Sequence, residues 1–270
     1  MTAAQNWEQQ LRAWALPEEL LAGAEQSPYG HPPQLWKRRT EGFVNRGEST
    51  PSLDAVESLA GAACSVLDVG AGAGRYSVYL AGRGHRVTAV ERSPGMVAAL
   101  ADACTGLDVG IVEGSWPEVA EVIPEHDVVL CAHLVYDVQD IAPFVSALGA
   151  RAGAGVVIEM TPSHPWSNLT PLYRALHDLD RPAGPTEADL VPVLREELSV
   201  DPQVQTWSRP ADLWYESWDE LLDFYGRRLV LPKARWGELR ALLEPDVVDI
   251  DGRLTVGQAE RPLVTLWWAK

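Results

Sequence analysis

The run Gly70-Ala71-Gly72-Ala73-Gly74 limits this chain more than any other stretch. Before it stands Ser65-Val66-Leu67-Asp68-Val69, a β-branched strand pattern, and after it Arg75 to Arg83 carries apolar residues at helical spacing. Strand, glycine turn and helix together open a βαβ unit on a parallel sheet. Side chains at 70, 72 and 74 would keep the backbone away from a ligand, and a positive φ at these positions also calls for glycine. The spacing is G-x-G-x-G, with Arg75 next, so it departs from the dinucleotide fingerprint G-x-G-x-x-G. No lysine follows as a nucleoside-triphosphate loop requires.

The alternation continues downstream. Arg86–Glu91, Asp108–Val112, Asp127–Ala132 and Gly155–Met160 read as strands, with Met96–Ala103 and Ile141–Ala150 as helices between them. Gly82-Arg83-Gly84-His85 closes the first helix, and Ser93-Pro94 starts the next, serine as a cap and proline in the first turn. Further helices are expected over Pro171–Leu179, Glu187–Leu198 behind Thr186, Ser217–Leu229 and Ala234–Leu243. Val204–Trp207 and Leu263–Trp268 supply two more strands. Residues 1–60 show only helical patterns, broken at Pro17, Pro28 and Pro32-Pro33. The expectation is an α/β, doubly wound, mostly parallel seven-stranded sheet. A helical N-terminal cap would span 1–60, and the main domain 61–270, with a cofactor half at 61–160 and a substrate-side half with helical insertions at 161–270.

Composition excludes several classes. There are 22 basic and 38 acidic residues, a net charge of −16, which repels a phosphate backbone and argues against nucleic acid as a partner. Lys37-Arg38-Arg39, the densest basic run, reads as a solvated or substrate-proximal helix face. No apolar stretch is long enough to span a membrane and the first ten residues lack a secretory pattern, so a soluble cytoplasmic protein with no membrane partner is expected. Cys64, Cys104 and Cys131 have neither disulfide nor metal-ligand spacing and are expected buried and reduced, with no metal site.

Glu91 ends the second strand, 23 residues after Asp68, where a carboxylate can accept both hydroxyls of a ribose; otherwise it is a surface glutamate. The segments Val66-Leu67-Asp68-Val69-Gly70-Ala71-Gly72-Ala73-Gly74 and Val87-Thr88-Ala89-Val90-Glu91 resemble motifs I and II of the class I S-adenosylmethionine-dependent methyltransferases. The resemblance covers roughly residues 64–160. It implies a Rossmann-like methyltransferase sheet with S-adenosylmethionine as cofactor. Gly70, Ala71, Gly72 and Gly74 would pass beneath the methionine part, Asp68 would orient its amino group and Glu91 would bind the ribose. Arg92 and Met96 would pack on adenine, Met96 being equally readable as core. Val112-Glu113-Gly114-Ser115-Trp116-Pro117 resembles the segment bordering the adenine ring, implicating Ser115 and Trp116. Asp127 to Asp137 resembles motif IV, whose end faces both sulfonium and acceptor. That places His133 against the cofactor and makes it the first catalytic candidate, beside its reading as a structural histidine.

A sulfonium makes its methyl electrophilic unaided, so a general base is optional. His133, His164, Tyr136 and His177 are the groups available. Tyr136, His164 and Trp166 fall where the family builds its substrate wall, His164 also being readable as part of a stiff loop. Neither an Asn-Pro-Pro-Tyr tetrapeptide after the fourth strand nor a Pro-Cys pair is present. With the acidic charge, this favours a small-molecule acceptor. Eleven tryptophans suit either core packing or an aromatic cavity, which the N-terminal helices and the segment Trp207–Trp218 would line for an aromatic or lipid-like acceptor. Two other classes remain: a nicotinamide-dependent oxidoreductase, and a methyltransferase-like protein acting as a non-catalytic cofactor-binding or regulatory subunit.

Overall fold

A computed structural model describes residues 1–30, 32–257 and 259–270. Its helices, in chain order, are α1 (Ala3–Arg12), α2 (Glu18–Ala22), α3 (Pro33–Arg46), α4 (Pro51–Ala60), α5 (Arg75–Ala81), α6 (Pro94–Ala103), α7 (Ile141–Arg151), α8 (Thr170–His177), α9 (Glu187–Leu198), α10 (Trp218–Arg228) and α11 (Trp236–Leu243). The strands are β1 (Ser65–Val69), β2 (Arg86–Glu91), β3 (Val109–Glu113), β4 (His126–Ala132), β5 (Ala152–Met160), β6 (Gln203–Pro210), β7 (Val247–Ile250), β8 (Arg253–Val256) and β9 (Glu260–Ala269).

Seven strands form one sheet in the order β3-β2-β1-β4-β5-β9-β6. Pairing is parallel from β3 to β5, and β9 runs antiparallel to both β5 and β6. The order reverses direction at β1, which pairs with β2 on one side and β4 on the other, so a crevice opens at the carboxyl ends of β1 and β4. Val66 to Val69 are all buried because both faces of this central strand are covered. One face carries α7, with α9 and α1 behind it, around Leu67, Phe144, Ile158 and Trp7. The other carries α4 and α5 around Val56, Val66, Tyr76 and Leu80.

The segment 1–60 is not one cap. In α1, a reciprocal Thr2–Gln5 cap starts the helix and Trp7 and Leu11, one turn apart, bury against the sheet layer. Thr50 caps α4 through the Leu53 amide, and α4 lies directly on β4, β5 and β9, so the sheet layer begins at Pro51 rather than at 61. Only the stretch between joins a second core, where Leu16 and Leu35 meet residues of α8, α10 and α11 such as Tyr173, Leu221, Phe224 and Leu239.

Two local expectations differ from the fold. Ser93 makes no side-chain cap on α6; its amide instead donates to Glu91 Oε1 at 2.8 Å, which fixes the entry to the helix. The sequence reading also passed over the β7–β8 hairpin. Asp251 and Gly252 turn it at φ 53° and 77°, the two left-handed residues that a two-residue hairpin loop demands. Tyr215 bridges to Leu254 and ties the hairpin to the second core.

Candidate active site

A cavity of about 1380 Å³ lies between the carboxyl ends of the sheet and the second core. The glycine loop forms its floor. Gly70, Gly72 and Gly74 all have positive φ, at 76°, 58° and 87°, but they are glycine for different reasons. A Cβ on Gly70 would stand 2.5 Å from Leu134 Cδ2 and one on Gly74 2.7 Å from Leu100 Cδ1, so both positions are closed by packing beneath the loop. At Gly72 nothing lies within 4 Å, and the missing side chain leaves open cavity. Gly70, Ala71 and Gly72 line the cavity, whereas Gly74 faces Leu100 and Cys104. Packing therefore accounts for Gly70 and Gly74, while Gly72 is open to the cavity.

Two carboxylates flank the loop. Asp68, 2% exposed, accepts a hydrogen bond from Ser77 Oγ at 2.6 Å. Burial raises its pKa to about 6, the Ser77 hydroxyl and amide oppose that, and Glu91 adds to it. Glu91 Oε2 accepts from the Gly72 amide at 2.9 Å while Oε1 takes the Ser93 amide, so the strand-end acid is built into the loop. Ionised oxygens each accept more than one hydrogen bond, which leaves capacity for a ligand. Arg92, Met96, Ser115 and Trp116 line the same end; Met96 and Trp116 are buried, and Trp116 Nε1 donates to the Phe144 carbonyl at 3.3 Å.

At the exit of β4, His133 takes a left-handed backbone, φ 59°, and its Nε2 lies 2.9 Å from Oε1 of the fully buried Glu159 on β5. Burial lowers the His133 pKa to about 3; Glu159 opposes that shift, and Arg261 and Arg75 reinforce it. Burial would raise Glu159, but His133, Arg209 and the Ser52 hydroxyl outweigh it and hold the carboxyl ionised below its usual range. Tyr76 also donates to Glu159. His133 is therefore a neutral imidazole whose Nε2–H faces a carboxylate.

Tyr136 shares a 2.7 Å hydrogen bond with Thr161 Oγ1, and burial pushes its phenol up. His164 is sandwiched on Trp14, centroids 3.8 Å apart and 17° between planes; burial first, then Arg181, lowers it to about 3. Trp166 meets His164 edge-on and completes that wall. His177 is not brought to the site: its Nε2 sits 2.7 Å from the Leu229 carbonyl, away from the cavity lining.

The sequence reading missed a buried arginine cluster. Arg39 on α3 sends Nε and Nη2 to Asp212 Oδ1 at 3.2 and 3.0 Å, Arg75 Nη2 reaches Oδ2 at 3.0 Å, and Arg209 Nη1 lies 3.3 Å from the same oxygen. Burial would raise Asp212, but these guanidiniums hold it far below the carboxylate range. The Lys37-Arg38-Arg39 run is accordingly divided. Lys37 pairs with Asp102 and Arg38 with Glu216 and Glu220, while Arg39 enters the cavity wall. No local spacing announces a cluster spread over positions 39, 75, 209 and 212.

The aromatic lining also differs in origin. Trp14 and Trp36 from the N-terminal segment face the cavity, as expected, but Trp207, Trp214 and Trp218 do not. Trp207 Nε1 donates to Thr265 Oγ1, Trp214 lies beneath Arg38 and Arg253, and Trp218 beneath Arg240. Tyr215, Phe224 and Tyr225 stand in their place. Among the described residues no helix is long and apolar enough to cross a membrane.

Residues 66–150 match a family model described as a methyltransferase domain. Among solved structures, a putative methyltransferase from Bacillus halodurans superposes with TM-score 0.52 at 15% identity, covering 82% of this chain and 99% of its own. A TehB-like SAM-dependent methyltransferase from Corynebacterium glutamicum gives 0.46 at 16% identity, with 88% and 98% covered. Magnesium protoporphyrin IX methyltransferase from Synechocystis, with bound SAH, gives 0.47 at 14% identity, with 85% and 83% covered. No curated protein matches the sequence significantly. The matched segment spans the glycine loop, both flanking acids and the exit of β4, so residues 66–150 form a methyltransferase domain, and the whole sheet has the fold of the Bacillus halodurans protein.

Proposed function

We propose that the chain methylates a small organic acceptor with an aromatic body, held in the cavity between the glycine loop and the second core. One observation carries this reading: a single cavity runs from Gly72 and Glu91 to Trp36, Trp166 and Phe224, so donor and acceptor can meet without opening the fold. Its size accommodates two ligands of ordinary dimensions. The acidic net charge of −16 supports a small acceptor over a nucleic acid.

The residues fit the cofactor. The open side of Gly72 admits a ligand against the backbone, Glu91 stands at the strand end for a ribose, and the buried Asp68 gains a counter-charge from an ammonium. When bound, S-adenosylmethionine supplies an electrophilic methyl on a sulfonium. The protein then has to orient the acceptor and exclude water. Nε2 of His133 lies 2.9 Å from Glu159 Oε1 without hydrogen-bond geometry, and Nδ1 likewise has no partner among the described residues; with the ring proton on Nε2, Nδ1 carries the lone pair. A neutral imidazole of low basicity positions an acceptor hydroxyl or amine by accepting its hydrogen bond, rather than storing its proton. Tyr136 and His164 shape the wall, and His164 is held by its stack on Trp14.

The test is release of S-adenosylhomocysteine from S-adenosylmethionine by purified protein over a panel of small aromatic acceptors. Acceptor-dependent release with a methylated product is expected. Tight cofactor binding with no acceptor-dependent release across the panel would instead favour a regulatory, cofactor-sensing role.

A further inference from the structure

Arginines gather on one side of the cavity. Arg39, Arg75 and Arg209 converge on Asp212, and Arg261 stands directly opposite Arg209 in the β6–β9 register. Like charges paired across strands destabilise a sheet unless something compensates them. Asp212 and the ionised Glu159 provide two negative charges. Arg75, the first residue after the glycine loop, lines the cavity beside them.

Arg228 lies outside that account. It closes α10, is 3% exposed and lines the cavity. Its guanidinium lies over the Phe224 ring at 3.8 Å and near Trp166 at 5.5 Å. Among the described residues no carboxylate is within ion-pair distance of it, and its buried Nη1 has no hydrogen-bond partner. Stacking uses the face of a guanidinium and leaves the in-plane N–H groups needing acceptors. A buried charge left in this way is costly, and a ligand anion removes the cost. Burial first, then Arg227, lowers Arg228 only to about 10, so it is charged at neutral pH.

We propose that the methyl acceptor is an aromatic carboxylic acid whose carboxylate is held by Arg228, its ring lying against Trp166 and Phe224. This rests on the methyltransferase reading above and adds the substrate class. A planar carboxylate matches the free edge of one guanidinium. A phosphate, with three outward oxygens, asks for several converging charged donors, and at this end Arg228 is the cation in the lining among the described residues.

The experiment is calorimetric titration of the protein saturated with S-adenosylhomocysteine. The probes are benzoate, phenylacetate and indole-3-acetate, each against its neutral amide, with phenyl phosphate as a further arm. At least one carboxylate should bind roughly ten-fold or more tightly than its amide, as expected for a charge-assisted pair. In Arg228→Met that preference should fall below about two-fold while S-adenosylhomocysteine affinity stays within about two-fold, which also shows that the variant folds. Amides binding as well as acids, no binding by any acid, or phenyl phosphate outcompeting them all overturns the proposal. Preference undiminished in Arg228→Met overturns the assignment to this residue. Failure of S-adenosylhomocysteine to bind the wild type is a separate result that removes the methyltransferase reading itself.

Discussion

Glu91 Oε2 accepts a hydrogen bond from the Gly72 amide across the mouth of the cavity, so the acid at the end of β2 and the open glycine of the loop form one unit. The carboxylate thus has two duties, since its other oxygen fixes Ser93 at the start of α6. Glu91→Ala should weaken S-adenosylhomocysteine binding by about 1–3 kcal/mol through lost charge-assisted bonds, and also loosen the loop. Hydrogen exchange at the amides of residues 72 and 93 should rise in the ligand-free variant, and unchanged exchange would mean that these contacts do not order the loop.

Gly72 and Gly70 should fail in different ways. Gly72→Ala places a methyl in open cavity, so packing is kept and cofactor affinity is lost, with a backbone penalty of about 1 kcal/mol from its positive φ. Gly70→Ala drives the same methyl into Leu134 and should lower thermal stability by more than Gly72→Ala does. Melting temperature and cofactor titration on the two variants separate these outcomes; equal melting temperatures would contradict the packing argument.

Cofactor binding should depend on pH through Asp68. Only its ionised form attracts an ammonium, and burial places its pKa near 6 in the free protein. S-adenosylhomocysteine affinity should be flat above pH 7 and fall as pH drops below about 6, approaching ten-fold per unit. Binding near pH 6 should release a proton, visible as a buffer-dependent enthalpy. The sign for stability is opposite. The folded chain holds this proton more tightly than the unfolded one, so the contribution of Asp68 to the ligand-free protein declines as pH rises from about 4 to about 6 and is level above that. Asp68→Asn should abolish both dependences, and an affinity profile unchanged in that variant would assign the pH effect elsewhere.

Asp212 should be a keystone of stability. Asp212→Asn leaves Arg39, Arg75 and Arg209 facing one another without their anion, at a cost of about 3–5 kcal/mol. Urea unfolding would register this as a lower midpoint at unchanged slope. A midpoint equal to wild type would show that solvent, not Asp212, screens the cluster.

The region around the glycine loop was readable because its information is local. Gly70 to Gly74, Asp68 and Glu91 lie within a single strand–helix–strand unit, and the apolar periods on either side fix which ends of β1 and β2 face the ligand. The last two strands of the sheet were also visible as β-branched and apolar runs, though Gln203 to Pro210 is longer than its apolar centre suggested. The arginine cluster was not readable, because its members come from α3, α5, β6 and the segment after β6 and meet only through tertiary packing. The β7–β8 hairpin was readable and was missed: Asp251-Gly252 between two β-branched runs is a strong short-range turn signal. Tryptophan abundance pointed to an aromatic cavity, and Trp14, Trp36 and Trp166 line it, whereas Trp207, Trp214 and Trp218 do not. An indole outside the cavity, such as the half-buried Trp214 beneath two arginines, has the same local sequence character as one lining it.

The placement of β9 between β5 and β6 also governs the order in which the molecule can come into being. Among the described residues β6 has no sheet neighbour except β9, which follows it by fifty residues. As the chain leaves the ribosome, β1 to β5 can pair one after another, but β6 must wait, its edges bare, through the synthesis of α10, α11 and the hairpin. The arginines of β6 and β9 therefore come together at one late moment, and the wall that Arg261 gives the cavity is finished last.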